Sequence, residues 1–165
     1  MVREKTYELA ANYKLIGENF LEYYHLPWVH PELMQVSRME DHFRWQEPGL
    51  YSGFCTTPIS QNSESGGWQG LPPVSTLRGE DAESGRFVLL FPNTAISVLP
   101  NHAFIIVANT DGPHRTVEST VILSHPESLG NPGAEEELDQ LMHFWDLVNL
   151  QDIKIEDRAR VVNGM

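Results

Sequence analysis

The segment that decides the fold spans residues 85–125 and reads GRFVLLFPNTAISVLPNHAFIIVANTDGPHRTVESTVILSH. Runs rich in β-branched and aromatic residues alternate in it with Pro, Asn and Gly, a pattern typical of strands joined by turns. The pattern predicts four strands, over Gly85–Pro92, Thr94–Leu99, His102–Asn109 and Arg115–His125. Because neighbouring strands joined by such short turns must run antiparallel, the segment predicts an antiparallel sheet.

A helix is predicted before this segment, over Tyr7–His25. Its apolar residues recur at intervals of three and four and form one helical stripe: Leu9, Tyr13, Ile16 and Phe20. Pro27 is expected to end the helix, because proline lacks an N–H group and disfavours helical geometry in the preceding residue. Two further strands, Val36–Gln46 and Leu50–Thr57, and a long Gly-, Ser- and Pro-rich loop, Gln61–Arg78, are predicted next.

A second, longer helix is predicted after Pro132-Gly133. Three glutamates, Glu135–Glu137, fall in its first turn, where the helix dipole favours negative charge. The helical pattern extends at least to Leu150 and, on its apolar spacing, to about Val162. Helices at both ends of an antiparallel sheet indicate the α+β class. We expect a curved sheet with the C-terminal helix packed on it, a helix-grip or START-like arrangement, and a pocket between them.

The composition limits the possible functions. The 165 residues, 41% of them apolar, suffice for one domain with a substantial core. The formal charge of -12 would repel phosphate backbones, so nucleic acid is not an expected partner. Neither a membrane-spanning apolar run nor a signal-peptide core is visible, which predicts a cytoplasmic protein. The single cysteine, Cys55, cannot form an internal disulfide and is expected to be a buried apolar residue.

Glu22, His25 and His30 form the densest cluster of chemically active side chains. On one continuous helix the two histidines would lie roughly 140° apart and could not share a ligand. A break at Pro27 allows the chain to bring His30 back towards His25. Neutral imidazole binds Fe, Zn, Cu and Ni. Two histidines with ordinary local hydrogen bonds are the alternative, because H-x4-H is a weak motif by itself.

Asp152 lies in the apolar stripe of the C-terminal helix. An inward carboxylate requires a cation, a metal or strong donors, because burial of an unpaired carboxylate costs several kcal/mol. The alternative is a helix that ends near Leu150, with Asp152 in solvent. Two histidines and one carboxylate form the facial triad of non-haem Fe(II) oxygenases, which leaves positions open for O2. The stripe steps by three and four through Leu138, Leu141, Trp145, Val148, Asp152, Ile155, Ala159 and Val162.

Two segments resemble the catalytic domain of the alpha (large) subunit of Rieske-type ring-hydroxylating oxygenases. Residues 12–33, NYKLIGENFLEYYHLPWVHPEL, resemble the iron-binding segment of that family, which has an acidic residue three positions before the first ligand of H-x4-H-P. Residues 144–153, FWDLVNLQDI, resemble the helix that supplies the family's carboxylate ligand, and Asp152 falls at that position. The two matches occur in the family's order.

The resemblance implies mononuclear Fe(II) at His25, His30 and Asp152. It implies O2-dependent hydroxylation of a small organic substrate, either an aromatic ring or an N-methyl or quaternary amine. By the same resemblance, Glu22 would be the carboxylate between the iron and a Rieske [2Fe–2S] cluster in a neighbouring subunit, and Asn19 a pocket or supporting residue. Electrons would come in trans from a Rieske domain and its reductase, in a homo-oligomer that is a trimer in the family.

The chain also departs from the family. One cysteine cannot hold the Rieske cluster, and the family's chain continues well past the ligand helix. We interpret residues 1–165 as a single non-haem iron catalytic domain, with truncation at both ends as one explanation of its length. Two alternatives stay open: a non-catalytic helix-grip module that binds a small molecule, and an inactive truncated subunit. His102 and Phe104 alternate along a strand, where a pocket position and a core position are both open, and His102 is expected to be a core histidine.

Overall fold

The structure is a computed structural model that describes residues 2–57 and 71–162. Within these ranges the chain forms one antiparallel sheet of seven strands, β1 (Val2–Leu9), β2 (His42–Arg44), β3 (Ser52–Thr56), β4 (Gly85–Leu90), β5 (Thr94–Val98), β6 (His102–Thr110) and β7 (Thr116–Ser124). It also contains the helices α1 (Tyr13–Leu21), α2 (Leu26–Val29), α3 (Pro31–Val36), α4 (Pro126–Leu129) and α5 (Ala134–Val162). The strand order across the sheet is β1-β7-β6-β5-β4-β3-β2.

The sheet segment and the C-terminal helix confirm the predicted α+β class. The four predicted strands are β4 to β7, each antiparallel to the next. Helix α5 packs on the sheet through its predicted stripe, and its buried side chains share one core with those of β5, β6 and β7. No helix in the part of the chain described here has the length and apolar character needed to cross a membrane. The shared core contains Leu138, Leu141, Trp145 and Val148 from α5, and Ala95, Phe104, Ile106 and Ile122 from the sheet.

The predicted helix over Tyr7–His25 is wrong at both ends. Tyr7 and Leu9 belong to β1, where burial alternates with period two, and they pack with Ile16 in a second, smaller core. The helix begins only at Tyr13, because the Asn12 side chain accepts a hydrogen bond from the Lys14 backbone N–H and caps it. Leu9 fits the helical stripe of Tyr13, Ile16 and Phe20 by spacing alone, although it is a strand residue.

Proline has a different effect after α1 from the one predicted. Pro27 does not end a helix but lies in the first turn of α2, where the missing N–H group has no partner to lose. Pro31 likewise opens α3, which extends to Val36. Because Met39–Asp41 then forms a 3-10 turn, the predicted strand Val36–Gln46 is wrong over most of its length. Only His42–Arg44 is strand there. Cys55 is buried as expected, and part of the predicted loop, with Trp68, lies outside the described residues.

Candidate metal centre and ligand cavity

The short helix α2 brings the two predicted histidines together. His25 is its N-cap and His30 its C-cap, and His30 is also the N-cap of α3. Their ring centroids lie 5.1 Å apart at an interplanar angle of 75°. His30 is fully buried, whereas the His25 side chain keeps 16% of its surface exposed. The chain break that the sequence analysis placed at Pro27 is therefore a single helical turn with a histidine at each end.

Asp152 reaches both histidines from α5. The helix continues well beyond Leu150, so Asp152 stays in the inward stripe rather than in a solvated tail. Its Oδ1 atom lies 2.8 Å from His30 Nε2 and 3.6 Å from His25 Nε2. One potential ligand atom from each of the three residues lies within 4.8 Å of the other two. A spacing of this kind allows one metal ion to bind all three ligand atoms.

Hydrogen bonds to the far side of each imidazole orient the two histidines. The Glu22 carboxylate contacts His25 Nδ1, and Gln151 Oε1 lies 2.7 Å from His30 Nδ1. Gln151 Nε2 in turn lies 3.3 Å from a Glu32 carboxylate oxygen, which can only accept, so Oε1 is the atom that faces His30. Because Glu22 and Gln151 both present acceptors, each Nδ1 carries the proton. In the neutral form, each Nε2 then presents a lone pair towards Asp152.

The donor set fits a divalent cation. Two Nε2 lone pairs and a carboxylate converge on one point, which is unfavourable unless a cation or a proton lies between them. The pKa of His30 also indicates that positive charge is favoured at this point. Burial alone would lower this pKa, but the hydrogen bond and the negative charge of Asp152 outweigh burial and raise it. Two imidazoles and one carboxylate are the ligand set of mononuclear non-haem Fe(II).

A cavity with aromatic walls lies beside these three residues, between α5 and the sheet. Its empty volume is about 630 Å³, including the open mouth. Two stacked pairs form much of the wall: Phe54 on Phe87, with centroids 4.7 Å apart, and Phe104 on Trp145, 4.6 Å apart. Asn19 lines the cavity, so α1 contributes to it as well. The cavity is thus mainly apolar and aromatic, and Glu22, His25, His30 and Asp152 also belong to its lining.

Phe104 and His102 have different roles, although they lie two residues apart on β6 and so on the same face of the sheet. His102 is buried and does not line the cavity; Trp145 Nε1 donates to its Nε2 at 2.8 Å, and its Nδ1 lies 2.7 Å from Asn101 Oδ1. Burial lowers the pKa of His102 to about 3, so the ring stays neutral. The expectation of a core histidine is therefore confirmed, and through Trp145 it supports one wall of the cavity.

Several cavity residues were missed by the sequence analysis. Ser97 and His42 line the main cavity. Asn149 lines both this cavity and a smaller adjacent one, and Asp152 also lines both. Glu118, on β7, lines the smaller cavity, is almost wholly buried and accepts a hydrogen bond from Asn149 Nδ2 at 2.5 Å. Glu118 could have been found, because it lies four residues before the buried Ile122 and so on the same face of the strand.

Burial raises the pKa of Glu118 to about 7, and the negative charge of Asp152 acts in the same direction, against the hydrogen bond from Asn149. In the unfolded chain this carboxyl loses its proton near its ordinary pKa of 4.5. The folded metal-free protein therefore loses stability as the pH rises from about 4.5 to about 7, by up to about 3 kcal/mol from this group.

We expect Glu118→Gln to raise the free energy of unfolding of the metal-free protein at pH 8 and to leave it nearly unchanged near pH 4.5. Glutamine keeps the oxygen that accepts from Asn149 and never ionises. Urea denaturation at both pH values, with a chelator present, measures the difference, and Glu4→Gln on the exposed face of β1 is the matched control. An equal effect of Glu118→Gln at the two pH values would contradict the buried, protonated state.

Comparisons with known proteins agree with this fold. A family model described as "Ring hydroxylating alpha subunit (catalytic domain)" matches residues 1–160. The oxygenase subunit of the glycine betaine monooxygenase of Chromohalobacter salexigens is 25% identical over 94% of this chain and 41% of its own length. The chain thus spans about two-fifths of the length of this relative.

Solved structures show the same fold at low identity. A quaternary ammonium Rieske monooxygenase, CntA, in complex with an inhibitor, has a TM-score of 0.74 and 14% identity over 99% of this chain and 39% of its own. Pseudomonas putida NdmA with caffeine has a TM-score of 0.58 and 13% identity over 94% of this chain and 43% of its own. With nearly every residue of the chain matched by one family model, and with the sheet and long helix of solved Rieske monooxygenases, this chain belongs to the family of ring-hydroxylating alpha-subunit catalytic domains.

Proposed function

We propose that this chain is a mononuclear non-haem iron oxygenase domain that hydroxylates a small organic substrate with O2. The observation that carries the proposal is the convergence of His25, His30 and Asp152, with potential ligand atoms within 4.8 Å of one another, beside an aromatic cavity. Fe(II) held by these three residues would activate O2, since a facial triad leaves coordination positions open for it.

The residues around the ligands have supporting roles in this proposal. Glu22 and Gln151 hold the imidazoles through Nδ1, which fixes the tautomer and makes Nε2 the ligand atom. His30 is buried, and Gln151 and Asp152 of α5 contact its two ring nitrogens, so bulk water is kept from that side of the site. Asn19 lies in the wall of the cavity and is proposed as a substrate-contacting residue.

Electrons are proposed to arrive in trans from a Rieske [2Fe–2S] centre of a neighbouring subunit. Glu22 is the proposed link: one of its carboxylate oxygens contacts His25, and 36% of its side chain is exposed, so another subunit can approach it. This arrangement requires an assembly, and a trimer in the cytoplasm is proposed because it matches the family. The single cysteine gives the chain no means of holding a Rieske cluster itself.

The substrate class favoured by the cavity is an N-methyl or quaternary amine. The faces of aromatic rings attract cations, and the cavity presents two stacked aromatic pairs, with Glu22 and Asp152 as anions in its lining. Glycine betaine and quaternary ammonium compounds appear in the names of the relatives. A flat aromatic ring could stack on the same walls, so ring hydroxylation is the second candidate.

The test uses hydrogen peroxide in place of O2. Peroxide already carries the two electrons that a Rieske partner would otherwise deliver, so no such partner is needed. Hydrogen peroxide is added to the Fe(II)-loaded chain with glycine betaine, L-carnitine or γ-butyrobetaine, and formaldehyde is measured. Hydroxylation of an N–CH3 group gives N–CH2OH, which releases formaldehyde, while the second peroxide oxygen leaves as water. Asp152→Ala with the same added iron controls for oxidation by free iron. Iron binding with neither formaldehyde from these amines nor a hydroxylated product from an aromatic substrate would favour the alternative of a binding module or an inactive subunit.

We also expect the chain alone to show no multiple turnover driven by NAD(P)H, even with a generic flavin reductase. The reason is that one cysteine cannot provide the cluster that would relay the electrons one at a time. Consumption of NADH coupled to product, measured with and without an added Rieske protein, checks this expectation. Sustained coupled turnover without the Rieske protein would contradict it.

A further inference from the structure

Five side chains at paired positions form a row across the middle of the sheet. Phe54 on β3 pairs with Phe87 on β4, Phe87 with Ser97 on β5, Ser97 with Phe104 on β6, and Phe104 with Ile122 on β7. Ser97 is the one polar member of these five, and it lies at the centre. Phe54, Phe87, Ser97 and Phe104 all line the main cavity, so the hydroxyl group is located in its aromatic floor.

The Ser97 hydroxyl is buried and has no hydrogen-bond partner among the described residues. Its side chain is 1% exposed, and Oγ makes no hydrogen bond. Several other buried hydroxyls are paired, such as Ser37 Oγ with Thr56 Oγ1 at 2.6 Å and Thr116 Oγ1 with the Ala11 carbonyl oxygen at 2.8 Å. Ser124 Oγ, at the end of β7, also lacks a partner in the described part of the chain, but Ser124 does not line the cavity. A buried hydroxyl without a partner is unfavourable, and it is most easily explained where a ligand completes it.

We infer that Ser97 is a specificity-determining residue that hydrogen-bonds a polar oxygen of the ligand in this cavity. The ligand class is a small molecule with a hydroxyl, carbonyl or carboxylate oxygen on an otherwise apolar or N-methylated skeleton. The aromatic neighbours Phe87 and Phe104 offer no competing donor or acceptor, so the Ser97 hydroxyl selects among ligands of similar shape. The inference rests on the proposed function only in treating this ligand as the substrate.

The direct test compares ligands that differ by one hydroxyl group. Choline and ethyltrimethylammonium form one pair, and phenol and benzene form the other, each titrated calorimetrically and anaerobically into the Fe(II)-loaded chain. In at least one pair, Ser97→Ala should weaken binding of the hydroxylated member by about tenfold and leave its partner unchanged, since one neutral hydrogen bond is of that order. Ser119→Ala, on the other face of β7, should change neither member.

A second measurement needs no ligand. Ser97→Ala should keep or raise the melting temperature of the ligand-free protein, because it removes an unpaired buried hydroxyl without a large change of volume. A fall in melting temperature would show that the hydroxyl has a partner inside the protein and would overturn the inference. An equal loss for both members of a pair, no loss for either, or no binding of either pair to the wild-type chain would also overturn it. Iron content and formaldehyde release decide the proposed function separately.

Discussion

His25→Ala, His30→Ala and Asp152→Ala should each abolish stoichiometric Fe(II) binding. Each removes one of the three ligand atoms that converge within 4.8 Å, and two remaining ligands cannot hold Fe(II) against water. We expect the affinity to fall by more than the roughly 10–100-fold that is typical when only a residue supporting a metal ligand is changed. Anaerobic titration with Fe(II), followed by removal of excess metal and measurement of iron per chain, gives the result.

The controls separate loss of a ligand from loss of the fold. His143→Ala removes an exposed histidine of α5 and should retain one iron per chain. Asp152→Asn keeps the volume of the side chain, and His30→Gln limits the cavity that an alanine would leave at a buried position. Circular dichroism confirms that each variant is folded. Stoichiometric iron in all three alanine variants would rule out the assignment of His25, His30 and Asp152 as the metal ligands.

Glu22→Gln should keep the iron and stop multiple turnover in an assembly that includes Rieske domains. Glu22 has structural contacts besides its proposed role: one oxygen contacts His25 Nδ1, and the other accepts from the backbone N–H groups of Tyr24 at 2.7 Å and His25 at 3.3 Å. Glutamine can preserve only one of these acceptors, so a modest loss of iron affinity is expected, up to roughly tenfold. Multiple turnover is expected to fall far more, on the order of 100-fold or greater, because the carboxylate proposed to link the two centres is lost.

The experiment uses a reconstituted assembly in which every iron-bearing subunit carries Glu22→Gln. Iron and substrate occupancy are measured first, and the rates are then compared at full occupancy. Glu18→Gln, at an exposed position of α1, the helix that Glu22 caps, is the matched control and should behave like wild type. Wild-type rates at full occupancy would leave Glu22 with its contacts to His25 and the Tyr24 backbone and remove it from the electron route.

Several features of the fold follow from local patterns in the sequence. Short turns around Pro92 and Pro100 require antiparallel neighbours, and β4 to β7 are arranged in that way. The stripe of α5 continues through Asp152 because a spacing of three and four residues repeats on one face of a helix. These patterns succeed because each depends only on residues close together in the chain.

Local patterns failed where two of them overlapped. Leu9 fits both a period-two strand and the helical stripe of Tyr13 and Ile16, and its pairing with Thr116 on β7 decides in favour of the strand. Pro27 is compatible both with the end of one helix and with the first turn of another. In the structure it lies in the first turn of α2. The strand position of Leu9 and the helical position of Pro27 both depend on hydrogen bonds and helix caps, which the spacing of apolar residues does not reveal.

What the sequence by itself determined is the antiparallel sheet, the long C-terminal helix and the three residues able to form a facial triad, all from spacings of a few residues or from family resemblance. Only the tertiary structure decided that Gln151 orients His30, that Glu118 is buried behind Asp152, and that Ser97 lies unpaired in an aromatic row. The position of Ser97 depends on four successive strand pairings, and its lack of a partner depends on every residue around it. Properties of that kind arise from the register and packing of distant segments, which no local pattern contains.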